Sequence, residues 1–311
     1  MSFPWGMSSS INPPVTINIL SWNRVDELRI TLQKLRRVDY PKDLLEIIVV
    51  DNASTDGSAE MVEHEFPHVR VLRMPKNVGI AGWNWGFANA HGKYVLVLDD
   101  DAHPERDAIR RMVTHFESDS QLGVIAFKIF EGEDKACVTS SWPEKVPTFW
   151  GCTAGLRTSM LNDTGYYDDQ IFIYGFEVEF VMKALNAGYE TKYLDDCVGY
   201  HRASLKHRAP QRSAYYFIRN AIWRVLKYYP AKCILPGLLL KVGFYGKTAF
   251  QARATSAFFK GLFDGMKGVP RALRQRTPLN YDVFSELQSR KLCEPNSKSR
   301  WDEFKKNFSY I

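Results

Sequence analysis

The chain has 311 residues, 45% hydrophobic and 14% aromatic, enough to bury one large core or two modest ones. Its net charge of +6 conceals an asymmetry: residues 1–201 carry 19 Lys and Arg against 29 Asp and Glu, whereas residues 202–311 carry 22 against 6. Low-complexity tracts and internal repeats are absent, which excludes fibrous, disordered and solenoid architectures.

Met1 to Ser10 has neither a basic nor an apolar region of the kind a secretory signal needs. Cys137, Cys152, Cys197, Cys233 and Cys293 form no C-x-x-C pair and match no zinc spacing, so reduced thiols in a cytoplasmic protein are expected. No run of 18 apolar residues exists; the nearest, Cys233 to Gly246, is interrupted by Pro236 and Lys241.

In chain order, Val15 to Leu20 reads as a buried strand ending at Ser21-Trp22-Asn23-Arg24, and Asp26 to Arg37 as a helix with Leu28, Leu32 and Leu35 on one face. Leu45 to Val50 is a second strand running into Asp51-Asn-Ala-Ser-Thr-Asp-Gly57. Ser58 to Phe66 is a short helix, Val69 to Arg73 a strand, Ile80 to His91 a helix, and Tyr94 to Leu98 a strand ending in Asp99-Asp100-Asp101. Strands alternating with helices predict an α/β fold with a mostly parallel sheet covered on both faces. Ligands bind such sheets beyond the carboxyl ends of the strands, where three polar clusters fall together. The absence of G-x-G-x-x-G after the first strand argues against a dinucleotide-binding dehydrogenase.

Past residue 205 the pattern becomes helical. Tyr215, Ile218, Ile222, Val225, Leu226 and Tyr229 form one apolar stripe, and Phe250, Ala254, Phe258, Leu262 and Met266 a second. The expected organisation is an N-terminal tail over 1–14, a catalytic domain over 15–204, a basic amphipathic helical region over 205–276 and a C-terminal tail over 277–311.

Three features carry chemistry. Asp99 and Asp101 lie two apart in an extended segment, on one side, where their hard oxygens suit Mn²⁺ or Mg²⁺; otherwise the triplet is a solvated acidic turn. Glu177 and Glu179 fall near a helix start, as dipole-stabilising acids or with Glu177 as a general base. His201 follows a strand over Thr191–Leu194 and a loop, and is structural, merely exposed, or a further ligand to a carboxylate metal site.

The ordered series SWNR, VVDNASTDGS, NVGIAGWNWG, VLVLDDD, GCTAGLRTSML, GYYDDQIFIYGFEVEF and YHRAS resembles family-two glycosyltransferases of the GT-A fold, in the rhamnosyltransferase-like and galactofuranosyltransferase-like branch. The resemblance runs from Thr16 to Ser204. It implies a Rossmann-like GT-A domain and an inverting, metal-dependent hexosyltransferase. Such an enzyme would move a dTDP- or UDP-linked sugar to a hydroxyl of a glycan or lipid-linked acceptor in cell-surface polysaccharide biosynthesis. It also implies roles. Asp51 contacts the nucleotide base, with Ser21 and Asn23 in the same pocket. Asn77, Gly79 and Gly82 lie against the donor, as do Asp99 and Asp100. Asp99, Asp101 and His201 hold the divalent metal, and Glu177 is the base. Relatives carry a second acid where this chain has Phe176. The helix dipole is expected to lower the Glu177 pKa and keep it ionised at neutral pH.

The basic helices suit the anionic inner face of the cytoplasmic membrane, and no nucleic-acid module is recognisable. Two other readings of the chain compete: a catalytically degenerate nucleotide- or glycan-binding scaffold, and a sugar-phosphate nucleotidyltransferase. The second would need a glycine-rich, lysine-bearing loop after the first strand, and Ser21-Trp-Asn-Arg is not one.

Overall fold

The computed structural model describes residues 12–132, 136–139, 142, 144–146, 148–203 and 209–289. The elements in order are β1 (Val15–Ser21), α1 (Val25–Leu35), β2 (Leu45–Asp51), α2 (Ser58–Glu65), β3 (Arg70–Arg73), α3 (Trp83–Asn89), β4 (Tyr94–Asp99), β5 (Ala102–Pro104), α4 (Ala108–Ser118), β6 (Leu122–Glu131), β7 (Ala136–Cys137), β8 (Thr153–Arg157), α5 (Thr158–Thr164), α6 (Phe176–Asn186) and β9 (Glu190–His201). Five helices follow: α7 (Pro210–Tyr228), α8 (Ile234–Gln251), α9 (Thr255–Lys267), α10 (Val269–Arg274) and α11 (Tyr281–Ser289). Of the two expected tails, residues 1–11 and 290–311 lie outside the described residues, and α11 falls within the second.

The sheet runs β3-β2-β1-β4-β8-β6-β9-β5, with β7 paired to β6. Its first four strands are parallel, as the βαβ spacing predicts. Beyond them the sheet is mixed: β8 is antiparallel to both β4 and β6, and β9 is parallel to β6 but antiparallel to β5.

Strands β1 and β4 read as continuous apolar runs because both faces are covered. Val15, Ile17, Ile19, Tyr94, Leu96 and Leu98 face one core with α1, α2 and α4. Val95 and Val97 face the other with α3, α5 and α6. The register then does the positioning: Ser21 pairs with Asp51 and Leu20 with Asp99, so three strand ends emerge at one edge. Because β2 and β4 flank β1, the chain reverses its direction of strand addition there, which opens the crevice where α/β sheets bind ligands.

The predicted strand Thr191–Leu194 is the start of a longer one. Phe127 pairs with Leu194 but Lys128 with Val198, so Asp195 to Cys197 bulge out of the β6–β9 ladder. The strand then resumes and ends on His201, opposite Glu131 on β6 and Ala102 on β5.

Helix α7 is the axis of the C-terminal region. Ile218, Ile222 and Leu226 pack against α8 to α10, while Val225, Tyr228 and Tyr229 join Met182 of α6 and Phe284 of α11. The second predicted stripe is not one helix. The chain breaks between Gln251 and Thr255, so Phe250 lies in the last turn of α8, Ala254 precedes α9, and Phe250 and Met266 are both exposed.

Candidate active site at the carboxyl edge of the sheet

Asp99, Asp100 and Asp101 leave β4 at the crevice and take three different surroundings. Asp100 is turned inward: Arg24 Nη1 donates to Oδ1 at 2.9 Å and Ser21 Oγ to Oδ2 at 3.0 Å. Burial lifts the Asp100 carboxyl to about 7 even with Arg24 beside it. Arg24 Nη1 also reaches Asp101 Oδ2 at 3.0 Å. It thus ties the turn after β1 to the turn after β4.

Asp101 is fully buried, and its Oδ1 lies 3.1 Å from His201 Nε2. The Nδ1 of His201 is 3.1 Å from Glu131 Oε1, a contact set by their pairing in the β6–β9 ladder. Burial alone would push the imidazole pKa down; the bonds to Asp101 and Glu131 overrule it and raise it to about 9. Without a cation, a proton on His201 balances the buried carboxylates; a cation bound there would take that proton's place.

Ligand atoms of Asp99, Asp101 and His201 all lie within 4.8 Å of one another. Two carboxylates and an imidazole fit a divalent cation such as Mn²⁺ or Mg²⁺. Glu131 on the other ring nitrogen fixes the orientation of the His201 ring.

On the β1–β2 side, Asn52 organises the loops. Its Nδ2 donates to Asn77 Oδ1 at 3.1 Å and to the Gly79 carbonyl at 3.0 Å, and its Oδ1 accepts from Val78 N at 3.0 Å. Gly79 has φ 66°, and a Cβ there would sit 2.0 Å from the Phe172 carbonyl oxygen, so only glycine fits. Gly82 is buried against Leu20 and Asn52. Asn23, at φ 52°, accepts from Thr55 N at 2.7 Å, and Asp51 accepts from Ser54 N at 3.3 Å. Ser21, Asn23, Asp51, Asn77 and Gly79 thus gather around the ends of β1 and β2, with Ser21 and Asp51 buried.

Glu177 is in the first turn of α6, partly buried, with its carboxylate against Gly151. The expectation of a lowered pKa is overturned. Burial raises Glu177 to about 7 and the Asp99 charge adds to it, outweighing the N–H groups at the helix start and Arg224. Glu179 points elsewhere: it is buried, with Tyr228 Oη at 3.1 Å and Lys227 Nζ at 3.4 Å. The two glutamates differ by two positions, about 200° around the helix, so one meets the crevice and the other α7. Phe176 is a core residue, its ring 4.9 Å from that of Tyr167 and 5.8 Å from that of Trp83. Its departure from the family pattern is absorbed by packing.

Sequence reasoning assigned no role to the supports beneath this helix. Tyr174 and Gly175 are both left-handed, with φ 69° and 77°. Asn220 of α7, 1% exposed, donates to the Ile173 and Tyr174 carbonyls, each at 2.8 Å, and Arg224 donates to that of Gly175 at 3.3 Å. The available signals were polar side chains beside an apolar helical stripe and, for Asn220, its place in Tyr215–Trp223, a segment that resembles the region downstream of the catalytic domain in the family. Glu131 and Asn52 were missed for a related reason, because their partners lie 70 and 25 to 27 residues away.

A GT-A sheet with an acidic cluster at its carboxyl edge defines the class. Residues 16–165 match the model of glycosyl transferase family 2, and the chain carries a domain of that family. It is 24% identical over 249 residues to the "Probable glycosyltransferase YdaM" of Bacillus subtilis, matching 72% of this chain and 59% of that protein. It is 23% identical over 265 residues to a dolichyl N-acetyl-alpha-D-glucosaminyl phosphate 3-beta-D-2,3-diacetamido-2,3-dideoxy-beta-D-glucuronosyltransferase of Methanococcus voltae, matching 73% of this chain and 83% of that one. Among solved structures, the mannosyltransferase PcManGT of Pyrobaculum calidifontis, in complex with GDP-Man and Mn²⁺, shares the fold. Its TM-score is 0.61 at 18% identity, over 99% of this chain and 88% of that one. Staphylococcus aureus TarS 1–349 with UDP-GlcNAc gives 0.62 at 19%, over 90% and 88%. Among the described residues no helix is long and apolar enough to cross a membrane.

Proposed function

We propose that this chain is an inverting, metal-dependent glycosyltransferase that moves a hexose from a nucleoside diphosphate to a hydroxyl of a glycan or lipid-linked acceptor. The observation that carries the reading is the meeting of Asp99, Asp101 and His201 at one edge, with Glu177 close enough to feel the Asp99 charge. Asp51, Ser21, Asn23, Asn77 and Gly79 receive the nucleotide along the β1–β2 rim. Asp100 serves that rim indirectly, by holding Ser21 and Arg24 in place.

A cation held by Asp99, Asp101 and His201 would neutralise charge developing on the leaving diphosphate. Glu177 accepts the acceptor hydroxyl proton while that oxygen bonds to the anomeric carbon and the carbon–phosphate oxygen bond breaks. The nucleoside diphosphate departs with the bonding pair, and one displacement inverts the anomeric centre. A carboxyl raised to about 7 is a stronger base than an ordinary glutamate and is still ionised in part at neutral pH.

Relatives bound to UDP-GlcNAc and GDP-Man support a nucleotide-sugar donor, with the sugar and base open across UDP-, GDP- and dTDP-linked compounds. The basic helical region supports placement at the inner face of the cytoplasmic membrane. The test is nucleoside diphosphate release from a panel of nucleotide sugars with Mn²⁺ and with EDTA, in the native chain and Glu177→Gln. The reading expects metal-dependent release that falls by about 10²–10⁴-fold in the variant. Unchanged release from Glu177→Gln would remove the base assignment.

A further inference from the structure

Helices α8 and α9 are apolar on two sides. Their inner sides are satisfied: Leu238, Val242 and Ala249 of α8, and Phe258 and Leu262 of α9, pack in the cluster around α7. Their outer sides are also apolar. Leu235, Leu239 and Phe250 on α8 are 66%, 66% and 75% exposed, and Phe259, Phe263 and Met266 on α9 are 63%, 58% and 59% exposed. At 100° per residue each set falls on one stripe, about a quarter-turn around its helix from the packed residues. A helix on a protein surface ordinarily turns polar residues outward, and six large apolar side chains left this exposed on two packed helices mark an interaction site.

The charge around the patch selects the partner. Residues 210–289 hold 13 Lys and Arg against 3 Asp and Glu. Helix α8 contains no acid, and the one acid of α9, Asp264, takes Lys260 at 2.9 Å, Lys267 at 3.4 Å and the Tyr215 hydroxyl at 2.9 Å. Lys247 on α8 and Lys260 and Lys267 on α9 are exposed and flank the apolar stripes. Phenylalanines and leucines rimmed by lysines complement a bilayer leaflet, with side chains entering the acyl boundary and ammonium groups meeting anionic headgroups. A second copy would bring the same lysines against themselves. Nucleic acid would leave the leucines in water.

We propose that the outward faces of α8 and α9 form a docking surface for an anionic membrane leaflet. The residues belong to the region whose Asn220 and Arg224 grip the segment before Glu177, so the docked face and the base share one support. The proposal rests on the glycosyltransferase reading only for its purpose, delivery of a lipid-linked acceptor; the surface is testable without donor.

The test is sedimentation of the full chain with vesicles of phosphatidylcholine and phosphatidylglycerol at 70:30 and with phosphatidylcholine alone, at about 0.15 M and about 0.5 M salt. Strong binding is expected only with phosphatidylglycerol, weakened by salt. Phe259→Ser with Phe263→Ser should lower partitioning at least about ten-fold, with the circular dichroism spectrum and rate on a water-soluble acceptor unchanged. Lys247→Glu, Lys260→Glu and Lys267→Glu together should lower it by about 100-fold at the lower salt. Three outcomes overturn the proposal: no partitioning by folded protein, a phenylalanine variant that partitions like the native chain, or a solution dimer that the same two substitutions dissolve. Tight binding to single-stranded RNA that only the lysine variant loses would likewise replace the membrane with nucleic acid. A chain that binds vesicles yet releases no nucleoside diphosphate from any donor keeps the surface and loses the enzyme reading.

Discussion

The carboxyl edge of the sheet and the outer face of α8 and α9 break opposite rules. At the edge, charge is buried: Asp100, Asp101 and His201 are at most 5% exposed. On the helices, apolar side chains stand in water. Buried charge costs stability unless paired, and exposed phenylalanine forgoes burial that would otherwise stabilise the fold. Both departures come where a protein meets something outside itself, so the two regions read as two faces of one task, one toward a charged donor and one toward a charged, greasy surface. Asn220 and Arg224 of α7 connect them, through the carbonyls of the segment before Glu177.

The largest expected effect is at the edge. Asp101→Ala should abolish turnover, by more than about 10³-fold, and remove metal-dependent donor binding, because it takes away one ligand and leaves His201 and Arg24 without a shared partner. Full activity in that variant would end the metal-site reading.

Asn220 sharpens the link between the regions. Asn220→Ala leaves two carbonyls of a left-handed turn without their donor and should slow turnover about ten-fold while donor affinity holds. Asn220→Asp should be worse, since a carboxylate has no donor to offer those oxygens. Equal loss of donor binding and turnover in both would reduce Asn220 to a folding residue.

The pH profile follows from Glu177. The base works ionised, so kcat/KM should fall about ten-fold per unit below about pH 7, with neutralisation of Asp99 moving that limb lower. The same shift has a stability sign. A carboxyl whose folded pKa lies above its unfolded value destabilises the fold once it ionises, from about 4.5 upward and fully above about 7. Glu177→Gln should therefore be more stable than the native chain at pH 8, on the order of 1–3 kcal/mol, and no different at pH 4. A destabilised variant at pH 8 would show that Glu177 is a structural pair.

The smallest effect is at Glu179. Glu179→Gln should leave turnover within about two-fold, because its carboxylate faces Tyr228 and Lys227, away from any reacting hydroxyl, and Lys227 keeps Asp168. A dead Glu179→Gln beside an active Glu177→Gln would reverse the base assignment.

How much of this was legible depended on how local the cause was. Strands β1, β2 and β4 are apolar runs ending in polar clusters, and their bounds fall within one residue of the sequence reading. The motif order then named the edge residues. Strand β9 was cut short because Asp195 and Asp196 look like a loop; they are a bulge, and its exit aims His201 at Asp101. Strands β6 and β8 gave no periodic signal beside helices, so the antiparallel half of the sheet went unseen. The Glu177 pKa was misjudged because the helix dipole can be read from sequence and burial cannot. The helical periodicity past residue 205 was real, but Arg253 at φ 53° and the turn around it divide the second stripe between two helices and turn its ends to solvent.

The central claim is a metal-dependent nucleotide-sugar site at the carboxyl edge. Its most direct test is the thermal stability of the native chain with UDP-, GDP- and dTDP-sugars and their diphosphates, each with Mn²⁺ and with EDTA. One nucleotide family at about 100 times its dissociation constant should add about 2.7 kcal/mol with Mn²⁺ and little with EDTA. Well-folded protein that none of these ligands stabilises, or that they stabilise equally in EDTA, would contradict it.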